Sequence, residues 1–166
     1  FDRQAIVAGP AVVRAASLRE YWDRPDIAAI LSVRGGYGSV ETLPLLAADP
    51  IRAARTAFIG YSDVTSVHTY LTCHVGVASV HGPMVEGRLA AGPAGYDAGA
   101  FQQSLLDRPL GELTPGGLET LQAGEAQGPL FGGTLSQLVA SLGTPFAFTP
   151  PAGHVLLIDE VGERPY

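Results

Sequence analysis

Cysteine, charge and long apolar runs are all scarce in this chain. Cys73 is the one cysteine in 166 residues, so no internal disulfide can form, which fits a reducing compartment such as the cytoplasm. Charged residues make up 16%, the formal net charge is -6, and no lysine or arginine cluster stands against it. Nucleic acid and anionic membranes are disfavoured as partners on that charge. No apolar stretch approaches the roughly 20 residues that a membrane helix needs, and no basic-then-apolar leader opens the chain. Internal repeats and low-complexity tracts are absent too. His68, His74, His81 and His154 do not fall at a metal-ligand spacing, and the phosphate-loop lysine pattern is missing, so neither a metal nor another cofactor is expected.

What is present suffices for a folded core, because 46% of the residues are hydrophobic. The chain opens on Phe1 rather than methionine, and it closes on Arg164-Pro165-Tyr166 just after an apolar run at 155–158. This reads as an internal fragment of a longer protein.

The pattern along the chain is one of alternating strands and helices. Ala11 to Trp22 is helix-prone, with Leu18, Tyr21 and Trp22 available for burial, and Asp23 to Pro25 breaks it. Ile27 to Val33 is a short apolar run of the kind found in a strand buried on both faces. After the loop Arg34-Gly35-Gly36-Tyr37-Gly38, Ser39 is placed to cap a helix over about 40–48, in which Pro44 implies a kink or a late start. Ala57 to Gly60 is the next strand. Val64, Val67, His68 and Leu71 then lie on one helical face, so His68 is expected to be buried and hydrogen-bonded. Val77 to Val80 is a third strand, ended by His81-Gly82-Pro83-Met84, and Cys73 reads as a small core residue. Strand, helix and strand with short connections predict an α/β fold, an open parallel sheet with flanking helices.

Residues 87–129 are dense in Gly, Ala and Pro, with one short helix near Tyr96–Leu106. Leu135, Leu138, Val139 and Leu142 again have helical spacing, with Gly143 as the stop, and 155–158 reads as a core strand. These shifts predict an N-terminal α/β domain over 1–86, a connection over 87–120, and the start of a second, C-terminal domain over 121–166.

Phe58-Ile59-Gly60-Tyr61-Ser62-Asp63-Val64-Thr65 carries the most chemistry. A buried strand, a tight turn bearing a serine and a helix start put a hydroxyl where backbone N–H groups favour negative charge. Serines and aspartates before helices are commonly mere caps, and Ser62 and Asp63 fit that use as well. The match to the hydrolase Gly-x-Ser-x-Gly turn is partial, since Val64 stands at the second glycine. The Gly35–Gly38 loop fits an oxyanion hole, a phosphate cradle or a plain turn. In a parallel sheet ligands bind beyond the carboxyl ends of the strands. The Arg34–Gly38 loop, the Ser62 turn and His81 all follow strands and so share one rim. Asp159 and Glu160 are adjacent in a strand, so only one of them faces a given site.

Five stretches in order resemble the LD-carboxypeptidase family of serine peptidases, which includes murein tetrapeptide carboxypeptidases and microcin-C self-immunity peptidases. They are Arg34 to Gly38, Gly60 to Asp63, His81 to Met84, Gly132-Gly133-Thr134-Leu135 with Gly143-Thr144-Pro145, and Glu163 to Tyr166. The resemblance implies a serine–histidine–glutamate triad with Ser62 as nucleophile. Counting back from Glu163 places the family's acid at Asp159, an aspartate where the family usually has glutamate; Glu160 takes that place only if the strand slips or bulges by one residue. Thr134 stands where the family has asparagine. The family histidine lies beyond residue 166, so this stretch alone is expected to be inactive; a cut core strand, with apolar surface and unpaired backbone exposed, is expected to leave it poorly stable. Backbone N–H groups of Gly36 and Asp63 are the implied oxyanion donors, with Arg34, Gly35 and His81 lining the site. The implied substrate is a peptide with a C-terminal D-residue, a murein stem tetrapeptide in the cytoplasm, cleaved before its D-alanine in cell-wall recycling. Family analogy also implies a homodimer. Three alternatives stand beside this reading: a microcin-C-type peptidyl-nucleotide hydrolase, a non-catalytic α/β module binding a ligand at the Gly-rich loop, and a degenerate pseudo-enzyme.

Overall fold

The computed structural model describes residues 6–106, 111–113 and 116–162. The first helix, α1 (Ala11–Trp22), leads to β1 (Ala29–Leu31), and a 3-10 segment at Ser39–Leu45 precedes α2 (Ala48–Ala53). β2 (Ala57–Gly60), a 3-10 turn at Ser62–Val64 and α3 (Thr65–Thr69) then follow without a break. A π-helical turn at Tyr70–Val75 continues α3, and β3 (Val80–His81) comes after it. A 3-10 segment at Leu89–Ala94, α4 (Ala98–Ser104), β4 (Leu130–Thr134), α5 (Leu135–Ser141) and β5 (Val155–Asp159) complete the elements among the described residues.

β1, β2 and β3 form a parallel sheet in that spatial order, with β2 central. β2 is central because Phe58 and Ile59 are both buried, 4% and 0% exposed, so it needs cover on both faces. Trp22 of α1 and His68 of α3 both lie against the Phe58 ring, at centroid distances of 5.8 and 5.3 Å. β4 and β5 form a second, two-stranded parallel sheet, and β4 and α5 both pack on α3. Gly133 makes that approach possible: a Cβ there would lie 2.7 Å from Thr65 Cγ2.

The expected α/β architecture is present, with differences that have local causes. β1 is shorter than 27–33. The third strand is Val80–His81 rather than 77–80, because the Val77 N–H is taken by the Leu71 carbonyl at 2.9 Å to close the π turn. Ser39 does not cap a helix; it is the first residue of the 3-10 segment, and its hydroxyl donates to the Asp63 carbonyl at 2.5 Å. Pro44 lies in that segment, and the α-helix starts only at Ala48. Tyr21 is 45% exposed while Ala15 and Trp22 carry the buried face of α1. Cys73 is half-buried rather than core. On α5 only Leu138 of the four spaced apolar residues is buried, and β5 exposes Leu156 and Ile158. The Glu163–Tyr166 stretch lies outside the described residues. Among the described residues no helix is long and apolar enough to cross a membrane.

Candidate active site

Ser62 is the one non-glycine residue among those described with a positive φ, at +63°. Tyr61 before it is fully extended, and the 3-10 turn after it runs into α3. This is a sharp strand–turn–helix elbow, the geometry that lifts a nucleophile above a sheet. A left-handed serine is strained by roughly 1–3 kcal/mol. Ser62→Gly is therefore expected to raise the unfolding free energy by about 1 kcal/mol, read by urea denaturation, because glycine adopts this φ freely.

The parallel β1–β2–β3 sheet brings the three strand-end loops to one rim. Gly35 lies directly over Ser62: a Cβ there would sit 2.9 Å from Ser62 Oγ. Met84, from the segment after His81, is the next neighbour of that position at 3.6 Å. Gly36 follows with φ +130°, a conformation open to glycine. Arg34 points outward and pairs with Glu86 at 3.4 Å, both well exposed.

Asp63 is 7% exposed and does not fold back to cap α3. Its Oδ2 instead accepts the Ser39 N–H at 3.0 Å. Ser66 Oγ donates to the Asp63 carbonyl at 3.0 Å and also contacts Ser39 Oγ. Burial pushes the Asp63 carboxyl up, against the opposing Ser39 hydrogen bonds and the Arg14 charge.

His68 is buried as expected. The Gly60 carbonyl can only accept, so His68 Nε2 carries the proton and donates at 2.9 Å, and Ser79 Oγ donates to Nδ1 at 2.8 Å. Burial lowers its pKa from 6.5 to about 4, against the Gly60 hydrogen bond, and the nearby His81 lowers it further. Unfolded chain binds a proton below pH 6.5 that folded His68 refuses until about pH 4. The neutral ring's contribution is thus intact above pH 6.5 and is lost as pH falls, by on the order of 3 kcal/mol below pH 4. Urea denaturation between pH 7 and 4 is expected to show this loss, and His68→Gln to remove that part of the slope.

The second sheet adds its own strand ends to the rim. His81 Nε2 lies 3.6 Å from Asp159 Oδ2, and Thr134 Oγ1 lies 3.5 Å from the same oxygen. Burial holds the His81 pKa down, with Asp159 opposing, so the ring stays neutral at pH 7. The β4–β5 register runs unbroken from Leu130↔Val155 to Thr134↔Asp159, so the strand carries no bulge there. Glu160 faces elsewhere: its Oε2 accepts the Ser136 N–H at 2.8 Å, an N-terminal donor of α5, and its Oε1 accepts the Val161 N–H. Those bonds lower the Glu160 pKa, that from Ser136 foremost. A mostly apolar cleft of about 720 Å³ opens beside His81 and Gly132, walled by Tyr96, Phe101, Phe131 and Leu157. No group of three His, Cys, Asp or Glu side chains able to hold a metal occurs among the described residues.

Residues 1–82 match the LD-carboxypeptidase N-terminal domain. A putative carboxypeptidase of Streptomyces coelicolor is 35% identical over 161 residues, 96% of this chain and 52% of that protein. The chain belongs to the LD-carboxypeptidase family. Another relative, the murein tetrapeptide carboxypeptidase of Pseudomonas aeruginosa, is 32% identical over 178 residues, covering 99% of this chain and 55% of that one. The crystal structure of a muramoyltetrapeptide carboxypeptidase from Oxalobacter formigenes shares the fold, with a TM-score of 0.80 at 22% identity over 98% of this chain and 55% of that one. The chain spans about half the length of the curated relatives it matches.

Sequence reasoning missed Arg14, Ser66 and the aromatic wall of the cleft. Arg14 is one of two arginines on an alanine-rich helix, and no local pattern marks its target 24 residues away. Tyr96 and Phe101 have the i, i+5 spacing of no single helical face, although they meet edge-on at 5.8 Å.

Proposed function

We propose that the protein carrying this chain is a serine-type LD-carboxypeptidase. It hydrolyses the L,D amide bond before the C-terminal D-alanine of a murein stem tetrapeptide, in the cytoplasm and in the service of cell-wall recycling. The observation that carries this reading is the strained φ of Ser62 on the elbow, under a glycine loop and on the rim that also bears Asp159.

In this mechanism Ser62 Oγ attacks the scissile carbonyl. A histidine from outside these 166 residues takes the hydroxyl proton and passes it to the leaving amine of D-alanine. Water then releases the acyl group from Ser62 by the same base. Asp159 orients that histidine; its position on the rim and the capping bonds of Glu160 favour Asp159 as the acid. Backbone N–H groups of Gly36 and Asp63 stabilise the oxyanion, each worth ~3 kcal/mol in such sites. Gly35 lies over Ser62 and His81 lines the cleft, while Arg34 is turned outward to Glu86 and takes no part in that lining. The division into 1–86, 87–120 and 121–166 belongs to the same proposal, and the separation into two sheets supports it.

The test uses the complete gene product and L-Ala-γ-D-Glu-meso-diaminopimelyl-D-Ala. The expected result is release of D-alanine, with no alanine released from the diastereomer ending in L-alanine. No release from either peptide, or equal release from both, would contradict the proposal. Residues 1–166 alone are expected to release none.

A further inference from the structure

The peptide group between Gly38 and Ser39 is gripped at both ends of its dipole. Its carbonyl accepts from Arg14 Nη1 at 2.6 Å, and its N–H donates to Asp63 Oδ2 at 3.0 Å. A cation faces the negative end and an anion the positive end, so both bonds are charge-assisted and reinforce each other. Arg14 is itself anchored: Nε donates to the Gly9 carbonyl at 3.2 Å, and Nη2 pairs with Glu41. Asp63 is anchored by being the residue after Ser62, with Ser39 Oγ bonded back to its carbonyl at 2.5 Å.

Burying a carboxylate is costly unless its bonds are satisfied. Asp63 Oδ1 nevertheless has no partner among the described residues, so the cost is offset by the bonds that Ser39 and Gly38 direct at the carboxyl group and by the Arg14 charge. A turn of this size could be closed by an uncharged side chain. The carboxylate does something such a side chain does less well: it ties the far end of the Gly35–Ser39 loop to the turn that bears Ser62. Gly35 and Gly36 lie on the span so tied, and Gly35 is in contact range of Ser62.

We propose that Arg14 and Asp63 are positioning residues that clamp the Gly38–Ser39 peptide and so hold the Gly36 N–H in register with Ser62 Oγ. The clamp rests on the reading of Gly36 as an oxyanion donor. Neither side chain touches the reacting atoms in this account. A displacement of the donor by about 1 Å is enough to lower the rate by ~100-fold.

Two variants of the complete gene product test the clamp, Arg14→Met and Asp63→Ala, each with thermal unfolding as a check on the fold. Arg14→Met keeps the stem on α1 and keeps the proposal testable if Asp63→Ala does not fold. Amide hydrogen exchange over residues 34–39 is measured together with kcat and KM for D-alanine release. The expected result is about tenfold faster exchange in that segment, a kcat lowered ~100-fold and a nearly unchanged KM. The double variant is expected to be no worse than the poorer single one, because both act on one peptide group. Asp63→Asn, which keeps an acceptor oxygen, is expected to recover much of kcat. Unchanged exchange in folded Arg14→Met would overturn the clamp. Faster exchange with unchanged kcat would overturn its catalytic part. Failure of the peptidase reading itself shows separately, as absent D-alanine release by the wild type, while the exchange result still decides the clamp.

Discussion

Ser62→Ala in the complete gene product is expected to lower kcat for D-alanine release by ~10⁴-fold or more, with the fold intact. The substitution removes one oxygen and leaves the elbow otherwise in place. Alanine is strained at φ +63° much as serine is, so the thermal midpoint is expected to stay close to that of the wild type. Activity and stability therefore separate. The contrast with Ser62→Gly is informative: both variants lack the hydroxyl, and only glycine relieves the turn. A serine that merely capped α3 would show the opposite pattern, with retained activity and a loss of stability. Retention of more than about a hundredth of wild-type kcat would exclude Ser62 as the nucleophile.

Asp159→Asn is the second large effect. An asparagine has the same shape, but its amide no longer fixes the tautomer of a histidine or stabilises the cation that forms during attack. In serine hydrolases of the triad type such a change lowers kcat by ~10⁴-fold with little change in binding. The same scale is expected here, with KM nearly unchanged. The neighbouring Glu160→Gln serves as the control, because Glu160 is occupied by the Ser136 and Val161 N–H groups. It is expected to weaken the start of α5 and leave kcat nearly unchanged. A large kcat loss in Glu160→Gln with none in Asp159→Asn would reverse the assignment. That outcome would require a register different from the Thr134↔Asp159 pairing.

Much of this site could be read from residue order because its parts are local. The run Ala57–Gly60 has the apolar density of a doubly covered strand, and a helical face begins at once behind it. Few folds other than strand–turn–helix satisfy both. α1 is legible for a similar reason, being a helix-prone run ended by the Asp23–Pro25 break. The rim followed from parallel pairing, which short connections with helices imply.

What escaped the sequence depends on distant partners. β3 is only two residues long, and its extent is set by hydrogen bonds to β2 and by the π turn that takes up Val77. Ser39 has the residue type of a helix cap, yet tertiary bonds to Asp63 and Ser66 override that preference. Asp63 looks like a capping aspartate until its carboxylate is seen to reach residue 39. The approach of His81 to Asp159 joins two sheets 78 residues apart in sequence, and no spacing rule encodes it. The apolar residues of α5 and β5 have the correct periods, but most of them are exposed on this chain. Period alone fixes which residues share a face and not what covers it.

The most direct measurement is the site of covalent trapping by a fluorophosphonate in the complete gene product, located by peptide mass analysis. The account predicts one adduct per chain, on Ser62, and its loss in Ser62→Ala. No adduct on the active wild-type protein, or an adduct on a different residue, would contradict the claim that the strained elbow serine is the nucleophile.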